Sequence, residues 1–258
     1  MKILFLTKNK PFSKEAAEIV KIHFEEAKII FGGINEPFPA DLLTITFDYV
    51  ISYISPWIVP KQLLGNTKIA AINFHPGPPE YPGIGCTNFA IYNGEKEFGI
   101  TVHYMQEKVD SGNIILVKRF PLFDNETVYT LTQRCYVYIY TAFVEIFPFI
   151  AVGVPLPISN EQWTKKPFTR KQLDELCIIT KDMSEDEIKR RVKATTYLQM
   201  PGAYIELGGT KFTANTSSVE DSVARDYNYR GGGTHKGLDR FNQNLRTIRN
   251  HRHLRPAA

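Results

Sequence analysis

The residues best suited to chemistry lie in one stiff stretch, INFHPGPPEYPG, which runs from Ile72 to Gly83. Asn73 and His75 are two positions apart, and in an extended strand such side chains face the same side. The amide of Asn73 could hold an oxygen that becomes negative, while His75 could accept a proton near neutral pH. The four prolines and two glycines that follow His75 restrict the backbone, which favours a preorganised site. A rigid surface loop with an incidental histidine is the alternative interpretation.

A carboxylate that could orient the imidazole occurs later, in the stretch KVDSGNII. Asp110 lies there between two apolar runs, and a nearby carboxylate stabilises a protonated imidazole. Asp110 could instead be a simple turn residue. His103, in GITVHYM, is a further partner, although a histidine among apolar strand residues more often belongs to the core. Asn73, His75 and Asp110 are therefore the candidate catalytic residues.

The apolar pattern predicts a scaffold of alternating strands and helices for these side chains. Short apolar runs predict strands over residues 2–7, 27–31, 49–54 and 68–74. Helical spacing after Ser13 predicts a helix that Ser13 caps. Strand, helix and strand with short connections predict an open, largely parallel α/β sheet, in which ligands bind at the carboxyl ends of strands. Asn73 and His75 lie at such an end.

The remaining pattern predicts more sheet, a long covering helix and a small second unit. The predicted elements are a helix over 87–92, paired strands over 99–105 and 113–122, a helix over 126–150 capped by Asn125, a helix over 184–194 opened by Ser184, and a hairpin around Gly208-Gly209. The composition changes near residue 155. We therefore expect a catalytic domain over 1–155, a small α+β unit over 156–224 and a basic tail over 225–258.

Composition and charge set outer limits. The chain has 258 residues, 43% hydrophobic and 22% charged, with a net charge of +4. Residues 225–255 hold eight Lys and Arg against two Asp, so the tail supplies the excess. Such a tail could touch RNA, but a solvated extension is the favoured interpretation, and we expect no nucleic-acid partner. Three widely spaced cysteines predict no metal site or disulfide framework. No signal peptide or membrane span is expected, which predicts a cytoplasmic protein.

The motifs together resemble those of the folate-dependent formyltransferases. Asn73-x-His75-Pro76-Gly77, FGITVHYM and VDSGNII carry the resemblance, which covers roughly residues 45–125. It implies a Rossmann-like N-terminal domain, an enzyme that uses 10-formyltetrahydrofolate as co-substrate, and an amine acceptor. It also implies catalytic roles for Asn73, His75 and Asp110, with no metal.

The chain length and PFTRKQLDEL look like the sugar N-formyltransferases within that family. The resemblance implies a nucleotide-linked 4-amino-4,6-dideoxysugar as acceptor, for O-antigen or lipopolysaccharide biosynthesis. GDP-perosamine is the leading candidate, and a dTDP-linked 4-amino sugar is close behind. A methionyl-tRNA formyltransferase-like enzyme and a non-catalytic module that binds folate or sugar nucleotide are the alternatives. The aromatic surplus and the hairpin predict a homodimer.

The resemblance also suggests binding residues. An apolar slot for the pterin fits the wall formed by residues 51–60, although Trp57 could equally be core. The candidate folate-binding residues are Ser52, Tyr53, Ile54, Trp57, Ile58 and Gly112. A sugar diphosphate needs hydrogen-bond donors and close backbone approach. The candidate residues for the nucleotide sugar are Lys8, Pro76, Gly77, Arg170 and Tyr204.

Overall fold

The computed structural model describes residues 1–198, 200 and 202–214 of the chain. The predicted basic tail over 225–258, and residues 215–224 of the predicted small unit, lie outside the described residues. Within the described part of the chain, the main sheet has six strands in the order β2-β1-β3-β4-β5-β6. Its strands are β1 (Ile3–Thr7), β2 (Ala27–Phe31), β3 (Phe47–Tyr53), β4 (Thr67–His75), β5 (Glu97–Tyr104) and β6 (Ile114–Pro121).

The sheet is parallel from β2 through β4, and antiparallel where β5 joins β4 and β6 joins β5. This order confirms the predicted Rossmann-like, largely parallel α/β architecture. The chain reverses its winding between β1 and β3, and in such sheets ligands bind beyond the carboxyl ends of the strands at that point. The end of β4 with His75 lies beside it.

Helices cover both faces of the sheet. They are α1 (Ser13–His23), α2 (Lys61–Gly65), α3 (Cys86–Asn93), α4 (Val128–Val152), α5 (Arg170–Leu176) and α6 (Glu185–Thr195), with a 3₁₀ turn at Ala40–Thr44. Alternate residues of β1 face opposite sides: Phe5 packs with the α1 and α4 side chains, and Leu6 packs with Leu42 and Leu63 on the other face. Burial on both faces explains why β1 reads as an unbroken apolar run.

Two predicted helix caps are wrong. Helix α1 begins at Ser13, but its cap is Phe12 in a left-handed conformation, and the Ser13 hydroxyl instead accepts a hydrogen bond from Thr7. Helix α4 begins two residues later than predicted, with Thr127 as its cap in place of Asn125. Thr127 is the cap because its hydroxyl accepts from the N–H of Thr130, while the Thr130 hydroxyl accepts from the N–H of Thr127. Ser184 does cap α6, accepting from the N–H of Glu187.

Helix α4 is long and apolar enough to cross a membrane by length and composition, with a mean hydropathy of 1.7 in its most apolar stretch. The expectation that no segment reaches that limit was wrong, because Pro148 lies inside the helix without ending it. More than half of that stretch is buried in the fold. Its aromatic side chains pack on the sheet, where Phe143 contacts Phe5 and Phe74. Packing against the sheet accounts for its apolar character.

The C-terminal elements dock on α3, the helix that follows the proline-rich stretch. Asn88 of α3 donates to the carbonyl of Ala194 at 2.7 Å, and the Tyr92 hydroxyl donates to Glu187 at 2.7 Å. The guanidinium of Arg190 lies 4.4 Å from the centre of the Tyr92 ring. Beyond α6, the hairpin β7 (Tyr204–Leu207) and β8 (Thr210–Thr213) forms as predicted. The domain boundaries proposed from the sequence stay predictions.

Tyr53 ends β3 deep in the core, where it packs against Phe5, Phe74 and Phe143. It has no exposed surface, and its hydroxyl has no hydrogen-bond partner among the described residues. A buried hydroxyl without a partner costs about 1–3 kcal/mol of desolvation. The fold therefore tolerates an unsatisfied polar atom beneath the end of β3.

We expect Tyr53→Phe to raise the free energy of unfolding by about 1 kcal/mol, because it removes that unsatisfied group without opening a cavity. Urea denaturation of the full chain measures the change. Tyr81→Phe is the matched control: the Tyr81 hydroxyl donates to Glu95 at 2.5 Å and accepts from Asn93 at 2.8 Å. Its loss should lower the free energy of unfolding by about 1 kcal/mol. Equal destabilisation in both variants would mean that Tyr53 has a partner in solution.

Candidate active site

The three candidate catalytic residues converge at the end of β4. Asn73 and His75 are both within that strand, two residues apart, so their side chains project to the same face. In the antiparallel pairing of β4 with β5, Asn73 lies directly opposite His103. Directly opposed residues bring their side chains together. The register therefore places two imidazoles and an amide side by side.

Asp110 reaches into this group from the loop 105–113, which we call the Asp loop. Its Oδ2 lies 3.3 Å from Nδ1 of His75, and its Oδ1 lies 3.2 Å from Nε2 of His103. Asn73 Nδ2 is 3.4 Å from Asp110 Oδ1 and 3.1 Å from Nε2 of His103. Asp110 has a left-handed backbone with φ of 43°, a conformation that Asp tolerates better than most residues. One buried carboxylate thus joins all three partners.

The two imidazoles differ in what they face. His103 Nδ1–H donates to the carbonyl of Tyr104 at 2.8 Å. Its Nε2 then accepts from Asn73 when the ring is neutral, or donates to Asp110 when the ring is protonated. His75 has an oxygen acceptor at each nitrogen, with Asp110 at Nδ1 and the carbonyl of Tyr81 2.9 Å from Nε2. A neutral ring donates to one of these oxygens, and the second N–H that forms when His75 accepts a proton would donate to the other.

The prolines and glycines fold residues 76–85, the His loop, back onto His75. A Cβ at Gly77 would lie 2.7 Å from Nε2 of His75 and 2.8 Å from the carbonyl oxygen of Tyr81. Only glycine lets the backbone pass this close to the ring. The Thr101 hydroxyl donates to the Gly77 carbonyl at 2.8 Å and ties the loop to β5. The stiffness seen in the sequence therefore serves to hold the imidazole.

Gly83 connects the His loop to Asp110 and to the later part of the chain. Its N–H donates to Asp110 Oδ2 at 2.7 Å. Its φ is 87°, and a Cβ there would lie 2.3 Å from the carbonyl oxygen of Phe168. Phe168 N–H donates to the carbonyl of Pro82, and Ile84 N–H donates to that of Phe168. A segment far along the chain is thus part of the site.

Burial by itself would raise the pKa of the Asp110 carboxyl, which is only 7% exposed. The facing His75, the hydrogen bond from His103 and the N–H of Gly83 outweigh that effect. The net result is a pKa well below the usual range of an aspartic acid. Asp110 is therefore ionised at neutral pH and can stabilise a positive imidazole.

A cavity of about 650 Å³ opens in front of these residues, at the carboxyl ends of the parallel strands. We call it the strand-end cavity. Asn73, His75, His103 and Asp110 are all part of its lining. Among the described residues, its charged lining consists of three cations, Lys8, Lys108 and Arg170, and one carboxylate, that of Asp110. Burial lowers the pKa of the Lys8 amine, and neighbouring Lys10 lowers it further. The cavity therefore suits an anionic ligand.

The predicted binding residues divide into two groups. Ser52, Ile54, Trp57, Ile58, Pro76, Lys8 and Arg170 all line the strand-end cavity. Tyr53, Gly77, Gly112 and Tyr204 are not among its lining residues. Tyr53 is in the core, Gly77 packs beneath His75, Gly112 packs against the carbonyl of Tyr104, and Tyr204 belongs to the hairpin. Trp57 has both characters, since it lines the cavity while its Nε1–H donates to the carbonyl of Glu36 at 2.8 Å.

Sequence reasoning missed several contributors. His103 was weighed as a core residue, yet it shares Asp110 with His75; its position opposite Asn73 is a matter of strand register. The Gly83 N–H and the Tyr81 carbonyl act through the backbone and leave no side-chain signal. Lys108 lines the cavity from the Asp loop. Only its nearness to Asp110 in the sequence could have indicated it.

The environment of Cys86 does not favour a cysteine nucleophile at this site. Cys86 opens α3 and is buried, and its thiol donates to the carbonyl of Pro76 at 3.1 Å. Burial raises the pKa of this thiol to about 12. The thiol therefore stays protonated at neutral pH and is inert as a nucleophile. The reactive potential of the site rests on the amide, the imidazoles and the carboxylate.

Similarity to known proteins identifies the family. The formyl transferase family model matches residues 11–146, slightly more than half of the chain. The chain therefore belongs to the formyl transferase family, as the motifs around Asn73, His75 and Asp110 predicted. A methionyl-tRNA formyltransferase of Lactobacillus johnsonii is 28% identical over 174 residues, which are 67% of this chain and 54% of that protein. The chain spans about half the length of the curated relatives it matches.

Solved structures share the fold more completely. A sugar N-formyltransferase from Shewanella sp superposes with a TM-score of 0.67 at 21% identity, covering 85% of this chain and 98% of that one. The N-formyltransferase of Helicobacter canadensis, in complex with folinic acid and dTDP-3-aminofucose, gives a TM-score of 0.63 at 20% identity. That match covers 82% of this chain and 86% of the other. At these identities the similarity establishes the fold.

We expect Asp110→Asn to lower the free energy of unfolding at pH 7 by about 2 kcal/mol or more, because it leaves a buried imidazole without its carboxylate. The folded-state pKa of Asp110 lies below that of an unfolded aspartic acid, about 3.9. The stabilisation from its ionised form is therefore present above about pH 4 and is lost as the pH falls toward the folded-state pKa. Urea titrations at pH 7 and pH 3 should show the difference between the two proteins narrowing at the lower pH.

Asp174→Asn, at an exposed position of α5, is the control and should change little at either pH. A difference between Asp110→Asn and the parent chain that is as wide at pH 3 as at pH 7 would contradict an ionised, low-pKa Asp110.

Proposed function

We propose that this chain transfers a formyl group from 10-formyltetrahydrofolate to the amine of a nucleotide-linked 4-amino-4,6-dideoxysugar. GDP-perosamine is the first candidate acceptor and a dTDP-linked amino sugar the second. The observation that carries the proposal is the convergence of Asn73, His75 and Asp110 on the wall of the strand-end cavity. The carboxylate of Asp110 lies 3.4 Å from Nδ2 of Asn73 and 3.3 Å from Nδ1 of His75. Amide, imidazole and carboxylate are the groups that formyl transfer to an amine needs.

Each residue has a role in that transfer. The bound donor would supply the formyl carbon, which the lone pair of the acceptor amine attacks. The bond from that carbon to N10 breaks when the resulting tetrahedral intermediate collapses. Asn73 donates to the formyl oxygen as it becomes negative. The N–H that Asn73 would use is the one that faces Asp110, because that hydrogen bond is long, at 3.4 Å, and the formyl oxygen can replace the carboxylate as acceptor. His75 accepts the amine proton and returns it to N10. Asp110 and the Tyr81 carbonyl stabilise the imidazolium in between.

The charge of the cavity supports a nucleotide-linked acceptor. Lys8, Lys108 and Arg170 line it, while the one carboxylate that the described residues contribute, Asp110, is already engaged by His75 and His103. These three cations exceed what a neutral sugar amine requires. They fit the diphosphate of a sugar nucleotide, or the carboxylates of the folate tail, by charge-assisted hydrogen bonds.

The apolar part of the cavity supports a pterin. Ile58, Ile84 and Val109 line the cavity and are 72%, 41% and 37% exposed, respectively. Large apolar side chains exposed together at a cavity mark a ligand-binding surface. Ser52 and the backbone that follows β3 add polar groups at its edge. A flat heterocycle with polar edges matches such a lining.

The similarities bear on which acceptor is used. The solved sugar N-formyltransferase from Shewanella sp is covered over 98% of its length, including elements after residue 146. That coverage supports a sugar acceptor. With it we propose a role in O-antigen or lipopolysaccharide biosynthesis, a cytoplasmic location and a homodimer. The curated relatives favour the second candidate function, because the first matches are methionyl-tRNA formyltransferases. The two acceptors differ enough to be separated in one assay.

We expect the purified full chain to formylate GDP-perosamine or one dTDP-linked amino sugar when it is incubated with 10-formyltetrahydrofolate, and mass spectrometry of the nucleotide sugar detects the product. His75→Asn should lower kcat/KM by about 10²–10⁴-fold, because proton transfer is lost. His23→Asn is the matched control: His23 ends α1 away from the cavity, so its loss should leave the rate unchanged.

The same panel includes methionyl-tRNA as acceptor. Formylation of the tRNA alone, with salt-sensitive RNA binding, would replace the sugar proposal by the second function. Binding of folate without transfer to any acceptor, unchanged in His75→Asn, would indicate a non-catalytic module and overturn the enzymatic proposal.

A further inference from the structure

Trp163 lies against the catalytic cluster although it comes from a segment beyond the predicted catalytic domain. Residues 159–168, which we call the covering segment, run along the His loop without forming a helix or a long strand. The Trp163 ring centre is 5.0 Å from that of His103 at an interplanar angle of 90°, and 5.9 Å from that of His75 at 69°. One indole therefore packs edge-on against both imidazoles.

The indole is also fixed to the Asp loop. Trp163 Nε1–H donates to the carbonyl of Gly112 at 2.8 Å, two residues after Asp110. Gly112 packs closely against β5, since a Cβ there would lie 1.9 Å from the carbonyl oxygen of Tyr104 and no larger residue fits. The same side chain thus contacts both histidines and holds the loop that presents their shared carboxylate.

The covering segment is anchored at both ends and in its middle. Ser159 N–H donates to the carbonyl of Ile114 at 3.0 Å, and Phe168 N–H donates to that of Pro82 at 2.9 Å. Glu161 pairs with Arg119, which also binds Glu80 of the His loop at 2.9 Å. Trp163 is therefore held in place by main-chain bonds and by an ion-pair network.

Trp163 is not among the residues that line the strand-end cavity. Its effect on a reaction must therefore pass through the imidazoles and Asp110. His75 and His103 are only 4% and 2% exposed, so the indole excludes water that would compete for their hydrogen bonds. Removing it would admit water and release the Gly112 carbonyl.

We propose that Trp163 is a positioning residue that fixes His75, His103 and Asp110 in their mutual geometry. The inference rests on the proposed formyl transfer for its kinetic consequence, but its structural consequence can be tested without it. A misplacement of about 1 Å in such a cluster can cost about 10²-fold in rate. Ligand affinity should be spared, since the indole does not reach the cavity.

The kinetic test compares three variants of the full chain. Trp163→Ala should lower kcat at least about tenfold, with KM for donor and acceptor within about twofold of the parent value. Trp163→Phe keeps a ring against the imidazoles but loses the N–H, so it should recover part of that loss. Ile158→Ala is the control, because Ile158 adjoins the covering segment and is 85% exposed. A rise in KM with unchanged kcat would overturn the positioning role.

The second readout is the ring ¹⁵N chemical shifts of His75 and His103, followed by NMR as the pH is varied. In Trp163→Ala both rings should change their shifts and their protonation behaviour, whereas Ile158→Ala should match the parent chain. If Trp163→Ala does not fold, Trp163→Phe is judged by the same measurement. Unchanged shifts for both rings would overturn the inference. Since this readout needs no turnover, a failed formylation assay would count against the proposed function alone.

Discussion

The site depends on the contacts that the buried carboxylate of Asp110 makes with its neighbours. Its two oxygens accept from or face His75, His103, Asn73 and the N–H of Gly83, so it joins β4, β5 and the two loops beyond them. A buried charge is tolerable only when such partners surround it. The same partners depress its pKa, which keeps it ionised and gives the imidazoles a fixed counter-charge. The contacts that hold the two loops around Asp110 therefore also keep its carboxylate charged.

The second constraint is close packing around that charge. Gly77 and Gly83 stand where a Cβ would strike His75 or Phe168, so the His loop can wrap the imidazole and still meet the covering segment. Phe168 stacks on Phe89 with ring centres 4.2 Å apart, which seats the later chain on α3. The cavity that results is cationic on part of its wall and apolar on the rest. Such a wall suits a ligand that has both negative charge and an apolar part.

The sheet, the strand ends and the three converging residues could be predicted because they depend on local patterns. Apolar runs mark strands, and the spacing of Asn73 and His75 fixes their common face. Helix caps were harder to predict. The caps are Phe12 and Thr127, which neighbour the predicted Ser13 and Asn125, and the backbone conformation of the folded chain determines which neighbour is the cap. Tyr53 was predicted to line the folate site, but its position in β3 directs its side chain into the core.

The sequence by itself determined the family, the α/β class and the amide, imidazole and carboxylate at 73, 75 and 110, because motif residues and short-range periodicity are written along the chain. Tertiary structure alone decided that His103 lies opposite Asn73, that Gly83 donates to Asp110, and that Trp163 backs both imidazoles. These contacts join residues 27 to 88 positions apart in the chain: Asp110 and Gly83 are separated by 27, and Trp163 and His75 by 88. Strand register and loop docking bring them together, and neither leaves a periodic signal in the sequence.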